Sequence, residues 1–292
     1  LENSVEDAIA AGNTEPEASP IDASSLEDCA YALPDPTGEE AKAEQERFHT
    51  YLMDNFKEKV TSDTVTLHYT VANPAHYDLD VPTATFGDAE ISEDAIASDK
   101  KETEDEITEL QSFDYDLLTG SQKYTYDVIK DYLDLNLESY DYTYLYEPFA
   151  YTSGLQTNMP INMSEYKFYN EGDVQDYLAL LGQLSDYYGK YLDFEQTKID
   201  KGLFMNEHSA SEVVRQCEEF IATPEENLLI ATFEDKVRGV EGLSEEQIQD
   251  YITQNHDTVI NSVIPCYKNV INFFNAHKDD GQNDLGLAGF EH

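Results

Sequence analysis

Seven histidines and three cysteines are the residues of this chain best suited to nucleophilic or metal chemistry, yet their spacing assembles no complete centre. A zinc peptidase site of the HExxH type needs two histidines one helical turn apart with a glutamate as general base. His208 follows Glu207, but Ala210 to Glu212 bring no second histidine. His68 and His76 flank Asn73-Pro74, and that spacing across a turn makes a poor metal pair. Cys29, Cys217 and Cys266 contain no CxxC spacing. Cys217 and Cys266 fall on apolar faces of expected helices and read as buried thiols, with a disulfide between them left open. Thr152-Ser153-Gly154 lacks the first glycine of a GxSxG elbow. A Walker loop, a GxGxxG turn and a DxDxDG calcium loop are all missing. With 61 acidic residues, pairing any two carboxylates for acid–base work from sequence would be arbitrary.

The stretch Tyr142–Met163 stands between two sets of helical patterns. It holds Tyr142, Tyr144, Tyr146, Phe149 and Tyr151, contains no Lys or Arg, and has no helical period of its own. Pro148 and Pro160 preclude one continuous helix through it. An ordered aromatic loop of this length is either a plug between helices or a binding surface.

The flanking elements are mostly helical. Phe48, Tyr51, Leu52, Phe56 and Val60 mark one face of a helix over 39–60. Val65, Leu67, Tyr69 and Val71 alternate with polar residues, which predicts a small β element near 64–71. A polar helix is expected over 88–110. Thr119-Gly120-Ser121 opens another, with Val128, Ile129, Tyr132, Leu133 and Leu137 as its apolar face. Val174, Tyr177, Leu178, Leu181, Leu184, Tyr188, Tyr191 and Leu192 trace a helix that reaches about Lys201, where Gly202 suits the C-terminal cap. Ser209-x-x-Glu212 and Ser244-x-x-Gln247 read as capping boxes, and Thr223-Pro224-Glu225-Glu226 as a third helix start. Pro265 should kink or divide the last helix near Ile264.

The net charge is −44, from 61 acidic and 17 basic residues. Nucleic acid is excluded as a partner on this balance, because phosphate binding needs clustered Lys and Arg. No apolar run approaches membrane-spanning length. The acidic, Ala/Ser/Pro-containing residues 1–38 hold few large apolar side chains and read as a disordered N-terminal tail, leaving 39–292 as the helical domain. The opening LENSVEDAIAAG suits an exported chain whose targeting segment has been removed.

Three stretches carry a resemblance. They are Tyr51–Asp80 with the Thr85-Phe86-Gly87 turn; Glu147–Met163 with Tyr166 and the helix that opens EGDVQDYLALLGQL; and the ending NDLGLAGFEH. Together they are similar to the N-terminal half of the bacterial domain-of-unknown-function 885 family, from about Glu44 to the end. The resemblance implies an all-α, elongated multi-helix domain like half of an HExxH-type zinc peptidase. It implies a secreted or lipid-anchored location, at the cell surface. Zinc would belong to the full-length protein and no cofactor to this chain, whose partner would be a C-terminal half carrying the catalytic residues. This half would then be a non-catalytic wall of a substrate channel, with peptide as the substrate. Ser153, Gly154 and Gln156 match the family's S-G-x-Q-like loop, and Tyr151 adjoins it, so these four are the expected substrate contacts. The alternative is an extracellular peptide- or solute-binding module without chemistry. An HExxH-type motif encoded after His292 would favour the enzyme.

Overall fold

The computed structural model describes residues 31, 33–81, 83–282 and 284–289. The expected tail lies outside the described residues through position 30 and at Ala32. The chain divides into two compact units, Leu1–Tyr51 with Glu106–Asp134, and Leu52–Asp105 with Leu135–His292. The described residues are helical and contain no strand, so the fold is all-α. The long elements are α1 (Glu39–Val60), α3 (Glu93–Gln111), α4 (Gly120–Ser139), α6 (Glu171–Asp200), α7 (Glu207–Ile221), α10 (Glu245–Thr258) and α11 (Ile264–His277). Shorter ones are α2 (Thr64–Thr70), α5 (Leu155–Glu165), α8 (Leu228–Ala231) and α9 (Phe233–Arg238).

In the first unit, Phe48 of α1 is fully buried and meets Phe113 edge-on at 5.0 Å. Arg47 lies 3.9 Å over the Phe113 ring and forks onto Glu44 through Nε and Nη2 at 2.9 and 2.7 Å. That guanidinium holds the Glu44 carboxyl below its ordinary range. Ahead of α1, Tyr31 Oη donates to Asp127 at 2.6 Å and Asp35 accepts the Gly120 N–H at 2.8 Å. Gly120 has no room for a side chain, because a Cβ there would collide with the Tyr31 carbonyl.

The second unit is organised by α6. An Asn170/Asp173 capping box starts it, and Gly202 at φ +74° ends it, with Leu203 N–H reaching back to the Lys198 carbonyl at 2.8 Å. Val174, Tyr177, Leu181, Leu184 and Tyr188 recur at helical spacing and are buried. α7 packs along α11, and α6 packs on α11 and on the π-helical turn Val259–Val263. Pro265 follows that turn and has no N–H to donate, so the helix divides near Ile264, as its position predicts. Cys217 and Cys266 are buried free thiols in this core.

Several local expectations need correction. The small β element near 64–71 is instead the helix α2, capped by Asp63, whose side chain accepts the Thr66 N–H. Thr64, Leu67 and Val71 are its buried positions, spaced i, i+3 and i+7; over seven residues this pattern also satisfies much of an alternating one. Ser209 does not cap α7. Asn206 does, accepting the Ser209 N–H at 2.9 Å, and Glu212 pairs with Arg215 instead. Thr223 makes no side-chain cap; Pro224–Glu226 is a 3₁₀ turn, and Asn227 caps α8. On α4, Val128 and Tyr132 are exposed, and Leu133 is the deeply buried residue of the expected face.

Pro160 lies inside α5, so part of the central aromatic stretch is helical after all. The missing Pro160 N–H would have served the Gln156 carbonyl, one turn back. The Tyr267 hydroxyl donates to that carbonyl instead at 2.9 Å, and the Tyr188 hydroxyl donates to the Leu155 carbonyl at 2.7 Å. The Tyr267 side chain of α11 therefore replaces the one helix bond that Pro160 cannot make, which is why a proline is tolerated there.

Candidate functional site

The expected contacts at the central loop occupy two kinds of place. Gln156 is buried, and its Nε2 donates to the Ala150 carbonyl at 3.1 Å and to Gln216 at 2.9 Å. Gly154 is the N-cap of α5, and a Cβ there would strike Gln156 Oε1 and the Ala150 backbone. These two residues join the turn to α5 and α7 through the chain's own atoms. Tyr151 and Ser153 face outward. The Tyr151 ring meets His208 edge-on at 5.7 Å, its carbonyl accepts from Gln216, and the Ser153 carbonyl accepts from Asn158.

A cavity opens in the second unit. It measures about 550 Å³ and lies between α2 and the start of α6, with His68, Tyr69, Tyr166, Tyr169, Asp173 and Asp176 on its walls. That volume is in the range of small-molecule sites. α2 contributes His68 and Tyr69. The Tyr166 ring stacks on His68 at 3.8 Å and 13°, while Tyr69 and Tyr169 bracket the same imidazole at 5.4 and 5.7 Å. Tyr69 is anchored by its hydroxyl, which donates to the Asn162 carbonyl at 3.0 Å.

Asp173 performs two tasks. Its Oδ2 accepts from Tyr169 N–H at 2.8 Å and from Asn170 N–H and Nδ2 at 3.0 Å, which completes the capping box of α6. Its Oδ1 faces His68 Nδ1 at 3.7 Å, beyond hydrogen-bond reach. Burial pushes the Asp173 carboxyl up, but the neighbouring imidazole and the Tyr169 and Asn170 N–H groups outweigh it and hold the group low. Asp176, one turn on, goes the other way: burial first, then the charge of Asp173, raise it. Burial and the nearby Glu165 carboxylate raise Tyr69, and burial raises Tyr166 well above the ordinary tyrosine range.

The His68 side chain is 7% exposed and pairs with Asp173 across 3.7 Å, with no closer hydrogen bond to a described residue. Asp176 has no hydrogen-bond partner among the described residues. The cavity thus combines aromatic walls with the His68–Asp173 pair and the carboxylate of Asp176. It does not present a zinc site: among the described residues, no three His, Cys, Asp or Glu side chains come together as a metal would need. From sequence, His68 is visible only as half of a poor metal pair. The cue that was present is Asn170-x-x-Asp173, a capping-box spacing that places Asp173 and Asp176 in the first turns of a helix.

The model of a family described as bacterial proteins of unknown function, DUF885, matches residues 83–290. The chain belongs to that family. Within this DUF885 protein, Tyr166, Asp173 and Asp176 fall in the matched span, whereas His68 and Tyr69 lie ahead of it. A search of curated proteins found no match. Among solved structures, the chain is similar to a "putative lipoprotein" from Colwellia psychrerythraea, at 19% identity and a TM-score of 0.45. That match covers 47% of this chain and 24% of the other, so the DUF885 chain spans far less than the length of that protein. Among the described residues, no helix is long and apolar enough to cross a membrane.

Proposed function

We propose that this chain is a ligand-binding, non-catalytic part of an exported or cell-surface, peptidase-like hydrolase, and that peptide enters the cavity between α2 and α6. The supporting observation is the cavity itself: about 550 Å³, walled by tyrosines, with the His68–Asp173 pair and the Asp176 carboxylate on its lining. A preformed apolar pocket with a few open polar groups is what a ligand site requires. The peptidase and export parts of the proposal come from the family resemblance. In the whole protein, the outward-facing Tyr151 and Ser153 would offer a second contact, while Gly154 and Gln156 hold the turn in place. Zinc, where the whole protein carries it, would be bound by residues other than those described here.

The test is titration of the full chain with short peptides, followed through the His68 and tyrosine ring resonances. Peptides should perturb His68, Tyr69 and Tyr169 together, and Tyr69→Ala should weaken the effect. If saturating peptide leaves these rings unmoved, the proposal fails.

A further inference from the structure

Most polar groups on the cavity walls are already engaged by the chain itself. Asp173 Oδ2 accepts the N–H groups of the α6 cap, Asp173 Oδ1 faces the His68 imidazole, and the Tyr69 hydroxyl donates to the Asn162 carbonyl. What the cavity offers a ligand is mainly ring surface. We infer that it takes a proline-rich peptide segment in the polyproline II conformation, with two prolines one turn apart on Tyr69 and Tyr169 and a basic residue beside Asp176; the inference rests on peptide entering this cavity. Three observations lead there.

First, the rings are exposed and preset. Tyr69 and Tyr169 line the cavity yet are 52% and 70% exposed, and Val81 beside them is 56% exposed. Large apolar side chains gathered at the mouth of a cavity mark a contact surface. Tyr69 is held by its hydroxyl, and Tyr169 is seated against the α6 cap by its own N–H. Rings fixed in advance lose little freedom when a ligand arrives.

Second, their spacing suits polyproline II. Both rings have His68 as a neighbour, at 5.4 and 5.7 Å, so they stand no more than two ring contacts apart. A polyproline II helix has three residues per turn and rises about 3.1 Å per residue, so positions i and i+3 recur about every 9 Å, within that span. Proline packs its ring on an aromatic face, brings no N–H in need of an acceptor, and has its φ already fixed. The carbonyls of such a helix have no internal partner, and the Tyr169 hydroxyl, without a hydrogen bond among the described residues, can donate to one of them.

Third, the charge at the mouth has one sign. No Lys or Arg lines the cavity, Asp176 has no hydrogen-bond partner among the described residues, and the Glu165 carboxylate lies near Tyr69. A basic residue next to the prolines complements it.

Three peptides test this on the full chain: acetyl-PAAPAR-amide, the same peptide with both prolines replaced by alanine, and the same peptide with its arginine replaced by norleucine. Each is titrated by calorimetry and by the Tyr69 and Tyr169 ring resonances, in wild type, Tyr169→Ala, Tyr169→Phe and Asp176→Asn. The proline peptide is expected to bind, and loss of the prolines or Tyr169→Ala to weaken it about tenfold or more, whereas Tyr169→Phe keeps the ring and stays within about threefold. Norleucine or Asp176→Asn should weaken binding about threefold at low salt, an effect that added NaCl erases. Should Tyr169→Ala melt below wild type, the proline and alanine peptides compared on wild type decide alone. An alanine peptide that binds as tightly as the proline peptide would overturn the inference and leave the peptide proposal standing, as would unchanged affinity in a folded Tyr169→Ala. Equal binding of the norleucine peptide would overturn the basic residue. Silence from all three peptides would overturn the inference and the peptide proposal together.

Discussion

Glu195 and Lys198 stand one turn apart on α6 with both side chains fully buried. Lys198 Nζ donates to the Tyr146 carbonyl at 2.7 Å and lies 3.3 Å from Glu195 Oε2. Burial pushes the Glu195 carboxyl up to about 7, against the pull of Lys198. Between the ordinary glutamate value of 4.5 and about 7, the unfolded chain has released this proton while the folded chain still holds it. Stability contributed by Glu195 is therefore complete at pH 4.5 and below, and falls as pH rises through that window. At about 1.4 kcal/mol per pH unit, the full loss is about 3 kcal/mol. Glu195→Gln keeps the shape and removes the titration. Urea unfolding should find the variant within about 1 kcal/mol of wild type at pH 5 and the more stable of the two at pH 8. Parallel pH profiles for the two proteins would contradict it. Neither this pair nor the His68 cavity was legible in the sequence. Glu195 is one carboxylate among 61, and His68 meets Asp173 only because α2 is laid beside a helix start far along the chain. Spacing reports local neighbours, and both environments are made by packing.

Most elements, by contrast, were legible, because their signals are local. The apolar period of α6, the glycine after its end and the Ser244-x-x-Gln247 box of α10 each act within a few residues. Where tertiary contacts intervene, the local signal misleads. α2 is a short β-branched segment held helical by the Asp63 cap and by burial of Leu67 and Val71. α5 runs through Pro160 because Tyr267 serves the orphaned Gln156 carbonyl. That substitution has a measurable coupling. Tyr267→Phe leaves the carbonyl buried and unpaired and should cost about 1–3 kcal/mol. Pro160→Ala supplies the N–H that the helix lacks, so in that background Tyr267→Phe should cost about 1 kcal/mol less. A double-mutant cycle by urea unfolding gives the coupling, and strictly additive effects would show that the hydroxyl does not stand in for the helix bond.

At the scale of the whole molecule, the charge balance decides the response to salt. Two local terms oppose one another. Ion pairs such as Arg215 with Glu212 and Glu219, or Arg238 with Glu234 and Glu245, weaken when screened. Repulsion among unpaired carboxylates weakens as well, and that stabilises the compact state. With 17 basic residues against 61 acidic ones, most carboxylates have no cation to pair with. Exposed pairs are each worth only about 0–1 kcal/mol, so the repulsive term should dominate. Raising NaCl from 0.01 to 0.15 M shortens the screening length from about 30 Å to about 8 Å. Tm should therefore rise across that range, on the order of 2–4 °C for each kcal/mol gained. Chloride is the right salt for the measurement, because sulfate stabilises folded chains by exclusion from their surface whatever their charge. Potassium chloride should reproduce the sodium curve, since screening depends on valence and concentration. A Tm that stays flat or falls with added chloride would mean that the ion pairs, few as they are, outweigh the repulsion of the whole.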